Sequence, residues 1–166
     1  MTQLSMDQAL SIILNSFQTA KEMRAHPLAA IVLDAGARIK AFLKQDGASV
    51  MRFEIARGKA FAALAMHRSS RMVLQKAREK PLFMETLREI ADGPIFLEAG
   101  AQLIRDGGGV ILGAIGITGD VNEVDDLCAM AGIRAAGLRC DDDFNEAECK
   151  RLNIKKQPPI TDPREL

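Results

Sequence analysis

The chain has 166 residues, 22 basic and 22 acidic side chains, no Trp, no Tyr and seven Phe. A net charge of zero gives no general attraction to nucleic acid or to an anionic membrane, and too few aromatics remain to stack bases. The length suits one domain with its own core, and no apolar run approaches the ~18 residues that span a bilayer.

Ser5-Met-Asp-Gln8 reads as a capping box, and Met6, Leu10, Ile13, Phe17 and Ala20 follow at three- and four-residue steps. This first helix should fade near Arg24-Ala25-His26, because Pro27 disfavours helical geometry in the residue before it. Leu28–Leu33 is a strand candidate, Asp34-Ala-Gly36 a turn, and Arg38–Lys44 alternates as a half-buried strand does. Together they predict a hairpin closed by Asp46-Gly47. Ser49 is the expected cap of a second helix from Val50 to His67, whose stripe Ala56, Ala60, Ala63 permits close approach to a sheet. Ser69 or Ser70 opens a third helix that stops before Pro81, and Leu82–Ala91 forms a further amphipathic stretch.

Pro94–Leu97 and Ala101–Ile104 are short strand candidates, and Asp106-Gly107 turns the chain into Val110–Ile117. That run is apolar on both faces, which predicts a central, buried strand. Gly113, Gly116 and Gly119 punctuate it, so either the strand bends or something approaches its backbone closely. One reading is a bulge and tight turn. The other is a pocket whose ligand meets the next helix N-terminus around 117–121, where the Asp120 carboxylate competes for the same donors. No Gly-Lys-Ser/Thr follows and the GxGxxG spacing is missing, so neither a P-loop nor a dinucleotide site is expected. Asp120 and Glu123 form a capping-box-like pair for a last helix to about Gly137.

After Cys140 the composition shifts to Asp141-Asp-Asp143, Lys155-Lys156 and Pro158-Pro159. The expected organisation is a single domain over 1–140 and an extension over 141–166 that is mobile or wraps a neighbouring subunit. The architecture reads as α+β: an antiparallel sheet of about five strands with helices packed against it. Cys128, Cys140 and Cys149 lack CxxC spacing, and the N-terminus has no basic region leading into an apolar core. Both features predict a cytoplasmic protein.

Four separated motifs occur together: Ile31-Val-Leu-Asp-Ala-Gly36, Lys44-Gln-Asp-Gly-Ala48, Glu54-Ile-Ala56 with Lys59-Ala60, and Gly113–Gly119 followed by Asp125. Their order and spacing resemble the GlcG/HbpS-like family, also met as the C-terminal part of PduO-type cobalamin adenosyltransferases. The resemblance spans residues 5–138. It implies a profilin-like fold, homo-oligomers and, in several members, haem binding; the family is often labelled haem-degrading. Two departures stand out. Ala37 replaces the second turn glycine, and Leu97-Glu-Ala-Gly-Ala101 replaces a Gly-Gly-x-Pro loop.

His26, at a helix-to-strand junction, is a candidate axial haem ligand or general base; its plainer reading is a surface histidine beside the last helix carbonyls. His67, at the end of the second helix, is a weaker candidate of the same kind. Lys59 stands where the family motif has a lysine, to anchor a carboxylate or pair with Asp46; otherwise its ammonium snorkels to water. Asp34 and Asp46 are acid–base candidates whose ordinary role is turn chemistry. Asp125 suits the first turn of the last helix, and Cys128 is a packed small side chain. No zinc-type spacing and no GxSxG elbow occurs.

Two functions are thus expected. One is binding of haem or a related carboxylated molecule through His26, Lys59, Gly116, Thr118 and Gly119, with His26 on the iron. The other is a cofactor-free enzyme of organic-acid or aromatic catabolism using Lys59, Asp46 and Asp34. A homo-oligomer is expected in both, with neither nucleic acid nor membrane as partner.

Overall fold

Ser5 begins the first helix as its capping box dictates: its hydroxyl accepts the Gln8 N–H at 3.0 Å, and Gln8 Oε1 accepts the Ser5 N–H. The computed structural model describes residues 3–165; Met1, Thr2 and Leu166, the outermost residues of the expected domain and extension, lie outside them. The elements are α1 (Met6–Glu22), β1 (Ala29–Asp34), β2 (Ile39–Lys44), α2 (Arg52–Met66), α3 (Ser70–Glu79), α4 (Pro81–Ile90), β3 (Ala101–Arg105), β4 (Ile111–Thr118), α5 (Asn122–Ala135) and α6 (Glu146–Leu152). The class is α+β, as expected, with one antiparallel sheet in the order β2-β1-β4-β3.

The sheet has four strands among the described residues, not five. Pro94–Leu97 is irregular because the Phe96 N–H donates to the Gly58 carbonyl of α2 rather than to a strand. Gly58 makes room: a Cβ there would lie 2.6 Å from Phe96 Cβ.

Side-chain alternation in β1 explains the layering. Ala30 and Val32, with Ile115 and Ile117 of β4, face α1 and α5, whose Ile12, Val124, Cys128 and Ile133 complete that core. Ile31 and Leu33, with Ala114, face α2, where the predicted stripe Ala56, Ala60, Ala63 packs. With helices on both faces, β1 and β4 are buried throughout, apart from their outer ends. Burial pushes the Cys128 thiol up to about 12, so it behaves as a packed apolar side chain.

Two helix starts differ from expectation. α2 begins at Arg52 with Met51 at the cap position, so the Ser49 hydroxyl is out of register and only its carbonyl accepts, from the Arg52 N–H. α5 begins at Asn122 with Val121 at the cap and no side-chain cap bond. The Asp120 carboxylate is drawn instead to the N–H groups of His26 and Val121, both at 2.7 Å.

Residues 139–160 lie against the chain's own domain. Arg139 forms a β-bridge with Arg105 that covers the β3 edge, and Cys140, Phe144 and Ile154 are buried. The Arg105 guanidinium meets Asp141 at 2.6 Å. Gln157 reaches Gln102 and Asp142.

Candidate functional site

Strand register brings most of the candidate residues to one end of the sheet. Ala29 of β1 pairs with both Lys44 of β2 and Thr118 of β4, and Ala101 of β3 pairs with Gly116. His26, Asp46, Thr118 and Gly119 therefore flank the same edge, and Lys59 reaches it from α2. Asp34 does not: it pairs with Gly113 at the opposite end, where its carboxylate accepts the N–H groups of Gly36 and Arg38. The expected grouping of Asp34 with Lys59 is thereby corrected, since the hairpin carries its turn and its open end in opposite directions. His67 also lies at the far end, beside Arg105 and Ile111, where it ends α2 in a left-handed conformation (φ +50°).

The close approach predicted at the glycines exists, but the chain itself makes it. A Cβ on Gly116 would stand 2.2 Å from the Ala56 carbonyl oxygen of α2. One on Gly119 (φ +149°) would stand 2.4 Å from the Pro27 oxygen. Thr118 is buried too, its Oγ1 accepting from the Arg52 guanidinium at 2.8 Å.

Lys59 is among the largest fully buried side chains. Its Nζ has three oxygens around it: the Ile117 carbonyl at 3.1 Å, Asp125 Oδ2 at 3.3 Å and Glu98 Oε2 at 3.5 Å. Asp46 is not among its partners. Gly100 (φ +116°) allows the loop to close here, because a Cβ would meet the Ile117 oxygen at 2.6 Å and Lys59 Nζ at 3.0 Å. Burial pushes the Asp125 carboxyl up to about 7 against the downward pull of Lys59. Its neighbour Asp126 is also raised by burial, with Arg71 Nε at 2.7 Å opposing. A buried carboxyl that titrates near neutrality beside an ammonium can exchange protons with a bound molecule.

A hydrogen-bond chain links this cluster to His26. Asp125 Oδ1 accepts the Asp120 N–H at 3.2 Å, and Asp120 Oδ2 accepts the His26 N–H. The His26 ring is exposed. On the α1 side of this edge lies a cleft of about 650 Å³. Phe17, Ala20 and Pro27 give it an apolar wall, Lys21 and Lys44 two ammonium groups, and Asp46 a carboxylate. Ala25 and Pro27, on either side of His26, both line it.

Lys21, Lys44 and Phe17 were not among the candidate site residues, although the expected hairpin already put the end of β2 beside the end of α1. Glu98 lies in the Leu97–Ala101 loop that departs from the family pattern, but the residue itself was not a candidate, because its partner Lys59 reaches it only through tertiary packing.

The sequence model described as "Haem degrading protein HbpS-like" matches residues 4–134. Among solved structures, a PduOC–haem complex superposes with a TM-score of 0.72 at 20% identity, covering 82% of this chain and 97% of that one. HbpS gives 0.69 at 23% identity, covering 81% and 90%. The Klebsiella pneumoniae protein ORFY gives 0.72 at 20%, covering 82% and 93%. At these identities the likeness is one of fold. No curated protein matches the chain significantly. Among the described residues no helix is long and apolar enough to cross a membrane, and no group of three or more His, Cys, Asp or Glu is placed to hold a metal ion.

Proposed function

The chain belongs to the HbpS-like haem-degrading family, and we propose that it binds haem, or a similar planar carboxylated molecule, in the cleft beside His26. The observation that carries this reading is a cleft with one apolar wall and two lysines, lined by Ala25 and Pro27 on either side of the exposed His26. Its volume lies within the roughly 300–1,000 Å³ of small-molecule sites. Phe17 and Pro27 offer flat apolar surface, Lys21 and Lys44 would meet the propionates, and the exposed His26 would supply a nitrogen ligand to the iron. Haem, when bound, would supply a redox-active iron. The Asp120 carboxylate holds the His26 backbone N–H, fixing the segment between Ala25 and Pro27 that lines the cleft. The family relative solved with haem supports the same ligand class.

Hemin titration of the double variant Lys21→Glu, Lys44→Glu tests the placement. Affinity should fall about tenfold or more, because two charge-assisted contacts become repulsive. Unchanged affinity would remove the cleft as the site.

Self-association belongs to the same reading. Leu82, Phe83 and Ile90 of α4 are exposed large apolar side chains on one helix, the kind of surface that oligomers cover.

A further inference from the structure

The Lys59 cluster lies on the α2 side of the sheet, apart from the His26 cleft, and its three oxygens are not equivalent. Ile117 O belongs to a central strand, and Asp125 is 1% exposed; both are fixed by packing. Glu98 is 42% exposed, stands farthest from Nζ, and belongs to the irregular segment before β3. An ammonium has three N–H donors; here two hydrogen bonds run inward, to Ile117 O and Asp125 Oδ2, and the half-exposed Glu98 carboxylate stands off as an ion pair at 3.5 Å. We propose that this is a carboxylate-binding site in which Glu98 is the resident counter-ion, displaced when a small-molecule carboxylate takes its place on Lys59 Nζ.

Charge conservation makes the exchange feasible. With Glu98 in place the cluster holds one ammonium and two carboxylates; replacing Glu98 by a ligand monocarboxylate leaves that count unchanged. The buried Lys59 stem needs no movement, because only the outer partner departs. The incoming carboxylate finds a desolvated ammonium, where an ion pair is far stronger than at an open surface. Asp125 stays on the inner side of Nζ, and burial keeps its titration close to neutral. The site stands independently of haem binding.

The test uses benzoate and propionate as probes, with chloride as control, read by amide shifts of Gly100, Ile117 and Thr118. Wild-type protein should bind weakly. Glu98→Ala should bind at least about fivefold more tightly, because no resident carboxylate then competes for the ammonium. Glu98→Ala alters a half-exposed loop side chain and should fold normally. Lys59→Met should abolish the shifts; if that variant does not fold, Glu98→Lys, which turns the outer position cationic, is measured instead and should alter the anion preference. Equal affinity in wild type and Glu98→Ala, or shifts confined to other regions, would overturn the proposal.

Discussion

Asp125 holds Lys59 with one carboxylate oxygen, at 3.3 Å, while its other oxygen accepts the Asp120 N–H at 3.2 Å. One buried acid thus ties α2, the end of β4 and the start of α5 together. Removing its partner should be costly. Lys59→Met is expected to destabilise the fold by about 3 kcal/mol or more at pH 8, because Asp125 loses the ammonium that favours its charged form and must take up a proton to stay buried. At pH 5 the carboxyl is protonated and the loss should shrink, as urea denaturation at the two pH values would show.

The pH dependence has a definite sign. Folding raises Asp125 from 3.8 to about 7, so the folded state binds the proton more tightly than the unfolded chain. Its contribution to stability is complete below about pH 4 and declines as pH rises through 7. The groups facing it are Lys59 and the Asp120 amide, which favour the charged form, and Asp126, which opposes it. Asp125→Asn, the neutral isostere of the protonated acid, should therefore lie closest to wild type at low pH and gain on it as pH rises, the difference changing by up to about 4 kcal/mol between pH 4 and 8. A difference that does not change with pH, or that moves against the variant as pH rises, would contradict the assignment.

Gly116 separates packing from ligand contact. Gly116→Val should cost about 3 kcal/mol or more, because the new side chain meets the Ala56 carbonyl of α2. Gly107→Ala, where a Cβ meets nothing within 4 Å, should stay within about 0.5 kcal/mol of wild type. Thermal denaturation of the two variants gives the comparison.

The segment after Cys140 should behave as part of the domain. Asp141→Ala leaves the buried Arg105 guanidinium without its 2.6 Å partner and should cost about 3–5 kcal/mol. A loss below 0.5 kcal/mol in calorimetry would mean that this segment packs only loosely.

Much of this was legible in the sequence because it rests on local chemistry. The Ser5 capping box, the Ala56–Ala60–Ala63 stripe and the two-sided apolar run of β4 each encode an element and its burial without outside help. The α5 start was misread because Asp120 is an excellent cap by type, yet a distant N–H, that of His26, claims its carboxylate. Pro94–Leu97 was misread for a similar reason: its β-like composition says nothing of the Gly58 carbonyl that captures Phe96. At the site, Lys59 and Asp125 were each visible through a motif, but their pairing was not. Glu98 and Asp125 lie 39 and 66 residues along the chain from Lys59, and only the folded sheet end brings them together.

Self-association is checked by light scattering. The exposed Leu82, Phe83 and Ile90 of α4 predict a dimer or larger assembly at micromolar concentration, weakened by Ile90→Glu. A monomer at every concentration would refute it.

The most direct test of the account is hemin titration followed at the Soret band, comparing wild type with His26→Ala. The wild type should give a saturable, single-site shift at micromolar hemin, and His26→Ala should lose it while keeping its circular dichroism. No saturable shift in the wild type, or the same shift in His26→Ala, would contradict a haem site built around His26.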